Sequence, residues 1–281
     1  MSIDPPGPAP VPAPSAASGN GVGPLLRAWR EQRRMSQLEL ALRADSSARH
    51  ISFVETGRSR PSEEMVLRLA EHLDVPVRER NALLLAAGYA PRYAETPLDD
   101  PSMDALREGV QRLIQGYEPY PALVVDATYD VLAANRGIAM LLDGVPDRLL
   151  VPPLNAMRLT LHPEGLAPRI LNLRAWRGHL LAQMDRQIAL RRSEPLRALY
   201  EEVAAYPFPD REPVPADDEP DAPAPHFALP LRIEHEGRVL SFISSVSTFN
   251  TPMDVTVSEL AIETFLPADP ATGKYLHSLS S

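Results

Sequence analysis

The chain of 281 residues contains no cysteine. Disulfides and thiolate metal sites are thereby excluded, and a reducing compartment, the cytoplasm, is the natural expectation. No apolar run approaches the ~18 residues of a membrane span, so no transmembrane helix is expected. Residues 1–22 are rich in Pro, Ala and Ser and have neither a basic start nor a long apolar stretch, which predicts a disordered lead-in and not a signal peptide. The 7 histidines show no HExxH or paired-ligand spacing, and a GxSxG elbow is absent. No catalytic residue, cofactor or metal is therefore assigned, and the chain is read as not an enzyme. Gly19, Gly21 and Gly23 imitate the front of a phosphate-binding loop, but no strand precedes them and the spacing does not complete the pattern.

What is present is concentrated in residues 37–61, QLELALRADSSARHISFVETGRSRP. Leu38, Leu42, Ile51 and Val54 fall at helical intervals, which predicts two short helices each turning one face to a shared core. Asp45, Ser46 and Ser47 interrupt the pattern, and Ser47 is placed to cap a helix starting near Ala48. Gly57 supplies the left-handed residue that ends it. Pro61 then forbids an immediate return to helix at Arg60, and Ser62 with Glu63 and Glu64 starts the next one. Leu25, Leu26, Trp29 and Met35 predict a helix before this pair. Met65, Val66, Leu69 and Leu73 predict one after it, and residues 78–87 a fifth. Five short helices over residues 23–93 can close a core of their own.

The run Ser36-Gln37-x-x-Leu40, followed by Ile51-Ser52-x-x-Glu55-x-Gly57-Arg58-x-Arg60-Pro61-Ser62, resembles the DNA-binding domain of the phage-repressor-like transcription factors called the XRE family. The resemblance implies a lambda-repressor-like helix-turn-helix. It implies further that Gln37 bonds a backbone phosphate and that Arg49, Ser52 and Phe53 face the major groove. Chemistry adds to this. Arg49, near the start of the recognition helix, can grip a guanine edge with two hydrogen bonds. Ala48 and Phe53 offer apolar contacts to a thymine methyl, while Ser47 and His50 stand beside them. Arg58 and Arg60 suit phosphates, which position without specifying. The bland alternative is an ordinary solvated face.

Net charge is −9, from 28 basic and 37 acidic residues. The helical module at 23–93 has 12 Arg against 9 Asp plus Glu, about +3, which leaves about −12 for the rest. So modest an excess makes a weak anchor on double-stranded DNA, and a homodimer engaging two half-sites is expected.

The remainder changes character. A helix is predicted over 103–115, then two short strands at 121–126 and 128–133 with Asp126 in the turn, then a helix from Asn135 to Leu142. Residues 167–205 read as helical, with Ile170, Leu173, Trp176 and Leu180 at helical intervals and a separate helix from Glu194. Residues 206–225 hold seven prolines and six acids, which predicts an exposed loop at 207–225. Strands follow at 227–233, 239–249 and 259–266. Pro230 fits an edge, and Leu260, Ile262 and Thr264 share a face. An antiparallel sheet with helices on one side is expected, making the whole chain α+β.

The runs PALVVDATYDVLAAN, NLRAWRGHLLAQMDRQ and STFNTPMDVTVSELAIETFLPAD resemble the ligand-binding domain of MmyB-like regulators, which join such a helix-turn-helix to a PAS-like domain. The resemblance implies a PAS-like domain over about 101–270, followed by a tail at 271–281, and a pocket suited to a fatty-acid-like or other small apolar ligand. From the residues alone, Tyr120, Trp176, His179, Met184, Phe242 and Phe249 are candidate pocket groups, or simply core. Arg174 and Arg177 flank Trp176 and are candidates to receive a carboxylate. A ligand-responsive transcription regulator is the expected function. The alternatives are a regulator whose second domain only dimerises and an enzyme fused to a DNA-binding head.

Overall fold

The computed structural model describes residues 21–208 and 228–279. Residues 1–20 of the expected lead-in, and residues 209–227, which hold most of the acidic loop, lie outside the described residues, while Val22, expected in the lead-in, opens the first helix. The chain divides into two compact units, residues 1–92 and 93–281.

The first unit is five helices, α1 (Val22–Gln32), α2 (Gln37–Arg43), α3 (Ala48–Glu55), α4 (Glu63–His72) and α5 (Val77–Ala86). Three of them begin on a serine whose hydroxyl accepts an orphan backbone N–H. Ser36 takes Glu39 N at 3.1 Å, Ser47 takes His50 N at 3.1 Å and Ser62 takes Met65 N at 3.2 Å. Gly57 follows α3 at φ 72°, the left-handed stop its position requires. Leu26, Trp29, Leu40, Ile51, Val54 and Leu69 are among the buried core.

One expected face is wrong. Leu38 and Leu42 are 60% and 73% exposed, and Leu40 and Ala41 are buried in their place. At about 100° per residue, Leu38 and Leu42 lie roughly 160° around the helix from Leu40. Leu40 and the buried Ala44 have the same spacing as Leu38 and Leu42, and only the packing partner chooses between the two stripes.

A buried ion pair ties three of these helices. Arg30 Nε and Nη2 donate to the two oxygens of Glu55 at 2.6 and 2.9 Å, and Arg30 Nη1 donates to Met35 O at 2.8 Å. Gln37 Nε2 donates to the same carboxylate at 2.8 Å. The end of α3 is thereby bonded to α1 and to the start of α2. Gly23, whose neighbours imitate a phosphate loop, serves the same contact. A β-carbon there would press on the carbonyl oxygens of Val54 and Glu55, coming within 2.6 Å of the latter.

The second unit holds α6 (Asp104–Gln115), β1 (Ala122–Val125), β2 (Val131–Ala134), α7 (Arg136–Leu141), α8 (Ala156–Leu161), α9 (Leu173–Arg191), α10 (Glu194–Ala204), β3 (Leu231–His235), β4 (Arg238–Thr248), α11 (Val255–Glu259), β5 (Ala261–Pro267) and α12 (Pro270–Leu279). The five strands make an antiparallel sheet in the order β2-β1-β5-β4-β3. The first and last strands in sequence therefore meet at its centre, Ala122 opposite Thr264 and Val125 opposite Ala261. The chain is α+β, a five-helix head followed by this sheet domain. Pro230 precedes β3, an edge strand.

Local chemistry sets the hairpin. The Asp126 carboxylate accepts from Thr128 N at 2.8 Å and Asp130 N at 2.9 Å, and Tyr129 takes φ 63°. The turn thus occupies the residues where the second strand was expected to begin. Asn135 is buried and acts as a clasp. It accepts from Ala122 N at 3.0 Å and donates to Ile114 O at 3.0 Å and Tyr120 O at 2.8 Å.

Helices cover β1 on both faces, not one. Leu123 and Val125 face the large core, while Ala122 and Val124 pack with Val110 and Ile114 of α6 on the opposite side. Residues 271–279, expected to belong to a tail at 271–281, form most of α12. Its Leu276 is fully buried, and Thr272 is capped by Asp269 and accepts from Ser241 N at 3.0 Å. Two short helices without a strong apolar period, α8 and α11, are started by the side chains of Asn155 and Asp254.

Gly23→Ala is expected to destabilise the first unit by about 1–3 kcal/mol through overpacking against rigid backbone. Denaturant unfolding followed by Trp29 fluorescence, in a Trp176→Phe background, tests this. An unchanged midpoint would mean that α1 can back away from α3.

Candidate DNA-reading face and ligand cavity

Helix α3 turns Ile51, Val54 and Glu55 inward, which leaves its other face outward. Arg49 is exposed there, with Ala48, His50, Ser52 and Phe53 half-buried around it and the cap residue Ser47 exposed at the helix start. The Arg49 guanidinium lies 5.2 Å from the Phe53 ring centroid and that of Arg58 lies 6.0 Å from the same ring. One aromatic ring thus carries two cations, which limits the conformations each arginine loses on binding. The remaining two candidates are engaged elsewhere. Gln37 is bonded to Glu55, although its amide nitrogen has a second hydrogen to give. Arg60 donates to Ala87 O at 3.0 Å and stacks 5.3 Å from Tyr89, whose hydroxyl donates to Pro61 O at 3.0 Å. Arg60 therefore braces the loop after α3 against the end of α5.

The second unit encloses a cavity bounding about 830 Å³, part of it continuous with solvent. Its walls come from β1, β2, β3 and β5 and from α7, α8 and α9, with Leu123, Ile138, Leu159, Leu180, Ile233 and Phe265 typical of the lining. Trp176 is the one sequence-derived candidate among them. The others lie around it. Met184 and Phe242 are fully buried in the surrounding core, and Phe242 backs the lining residue Phe265 edge-to-face at 6.3 Å. His179 is exposed and stacks on Trp176 at 5.6 Å. Arg174 and Arg177 hold the Phe208 ring at 5.0 and 5.5 Å, and Arg177 also donates to Ala204 O at 2.7 Å. Tyr120 meets His277 edge-on, and Phe249 packs with the α6 cluster on the other face of the sheet.

The polar groups of the cavity are few. Trp176 is 3% exposed. Its indole Nε1 is one of two buried side-chain nitrogens without a hydrogen-bond partner among the described residues, the other being Arg191 Nη1. Glu263, on β5, accepts from Ser244 Oγ at 2.6 Å. Half-buried by exposed area, it lines the cavity with so much protein about it that burial pushes its carboxyl above the ordinary value, the Ser244 hydrogen bond opposing the shift. Nearby, burial pushes the Tyr129 phenol up, and Glu263 adds to that rise. Sequence reading missed Glu263 because glutamate in an alternating strand reads as outward. The available signal was its parity. It sits out of step with Leu260, Ile262 and Thr264 and in step with Ala261 and Phe265.

Two known families match the chain. The family described as MmyB-like transcription regulator ligand binding domain matches residues 106–279, and the helix-turn-helix family matches residues 26–80. No curated protein matches it. Among the described residues no helix is long and apolar enough to cross a membrane, and no three His, Asp or Glu side chains converge as a metal site.

The raised carboxyl of Glu263 has a consequence for stability. The folded chain holds that proton more tightly than the unfolded chain, so stability falls as pH rises from the unfolded value toward the folded one. Glu263→Gln removes this loss. It is expected to raise stability by on the order of 1 kcal/mol at pH 7–8, with the gain vanishing below about pH 4. Denaturation midpoints of both proteins across that range test it, and a gain independent of pH would assign it to packing alone.

Proposed function

From a chain that belongs to the MmyB-like transcription regulators, a DNA-binding helix-turn-helix joined to a ligand-binding domain, we propose a homodimer that reads an operator with α3. A small apolar, fatty-acid-like molecule enters its cavity and governs that reading. The observation that carries the DNA half is Arg49, exposed on the recognition helix and stacked on Phe53. In this reading Arg49 takes a guanine edge, Ser52, Phe53, Ala48 and His50 face neighbouring bases in the major groove, and Ser47, Arg58 and the second amide hydrogen of Gln37 take phosphates. Arg60 contributes by fixing the loop that carries Arg58.

Electrostatics supports the homodimer. An excess of about three positive charges in the head gives few phosphate contacts, and affinity in a single head is correspondingly low. Two heads on one operator make up the shortfall. The ligand-binding half rests on the apolar cavity. A ligand that prefers one dimer arrangement over another shifts operator affinity by its differential affinity for the two, and by no more. A DNA partner supports a cytoplasmic location.

On an operator selected from random DNA, Arg49→Ala is expected to lose about 1–3 kcal/mol of discrimination at one base pair per half-site. Arg58→Ala should weaken binding evenly across sequences and lower the salt slope. If both variants bind like wild type, the groove assignment is wrong. Operator affinity of the protein before and after lipid extraction tests the second half. Equal affinities, with nothing apolar in the extract, would reduce the second unit to a dimerisation module.

A further inference from the structure

The cavity is apolar apart from three groups, the Thr160 hydroxyl, the Trp176 indole and the Glu263 carboxyl. All three have hydrogen-bonding capacity left over, and the Thr160 hydroxyl, able to donate or accept, suits any of the head groups considered below. Trp176 Nε1 is a buried donor with no acceptor. Glu263 has one oxygen taken by Ser244, and among the described residues no donor reaches the other. Among the described residues no ion pair holds Glu263, and burial raises its carboxyl against the opposing Ser244 bond. A buried polar group without a partner is costly, so Trp176 Nε1 marks where a ligand supplies what the protein does not, and the second Glu263 oxygen is open to accept a further hydrogen bond.

Three polar ends of an apolar chain can be set against this inventory. A carboxylate offers an acceptor to Trp176 but brings a second negative charge into the cavity with Glu263, where low polarity makes the repulsion strong. An ammonium suits Glu263 but has no lone pair for Trp176, and it must shed its water to form a buried pair. A hydroxyl offers both a donor and an acceptor at no charge.

Resting on the reading of this cavity as a ligand site, we propose that it selects an uncharged, hydroxyl-bearing amphiphile, with Glu263 accepting from the ligand and rejecting ionised carboxylates. Glu263 is then the specificity determinant and Trp176 the second polar anchor. The fatty-acid-like character of the ligand lies in its chain, not in its head.

The test is calorimetric titration of the lipid-extracted full chain at pH 8 with decan-1-ol, decanoate and decylammonium. Decan-1-ol should bind at least about tenfold more tightly than decanoate, and Glu263→Gln should narrow that gap to within about threefold. Trp176→Phe should weaken decan-1-ol while leaving the preference over decanoate in place. Because Glu263→Gln is expected to change stability, its denaturation midpoint is measured alongside, and a folded variant with an unchanged gap overturns the role of Glu263. Decanoate binding as tightly as decan-1-ol, or decylammonium tightest of the three, overturns the proposal while leaving the ligand site standing. Binding of none of the three removes the ligand site itself and the proposal with it.

Discussion

A polar group taken out of water must find its partner inside the protein, and both units of this chain are organised around that constraint. In the first, burying Glu55 beneath α3 requires Arg30 and Gln37 to converge on it, and this convergence fixes α1 and the start of α2 against the recognition helix. Removing one partner would strand the other, which is why such a pair specifies an arrangement even where its net contribution to stability is small. In the second, Asn135 satisfies a strand start, a helix end and a helix start with a single carboxamide. Against this background the unanswered indole of Trp176 and the half-answered carboxyl of Glu263 stand out, and both line one cavity.

The proposed DNA-reading face depends on the same pair at one remove. Glu55 is the last residue of α3, so the Arg30 contact anchors the helix at its C-terminal end while Ser47 anchors it at the other. A short helix held at both ends can present Arg49 and Phe53 as a rigid surface, and rigidity limits the entropy lost on binding. The weak local charge of the head makes that economy matter.

Much of the first unit was legible because its information is local. A serine three residues before a free amide, a glycine at a left-handed position and a proline that bars helix act within one turn, and the caps at Ser47 and Ser62 and the stop at Gly57 follow from them directly. Leu38 and Leu42 show where locality ends. Their spacing is as helical as that of Leu40 and Ala44, and nothing in seven residues says which stripe will meet α3 and α4. The candidate pocket residues show it again. Trp176 lines the cavity, whereas Met184, one stripe further along α9, is closed over by core and Arg177 is drawn to the end of α10.

The sequence by itself determined that there are two units, that the first is a helix-turn-helix and that the second alternates strands with helices, because period, caps and turn residues are properties of neighbours along the chain. Only the tertiary structure decided that β5 lies between β1 and β4, and so that Ile262 packs toward α6 while Glu263 turns to the cavity. Which face of a strand is inside depends on what is brought to cover it, and β1, covered from both sides, has no outside at all.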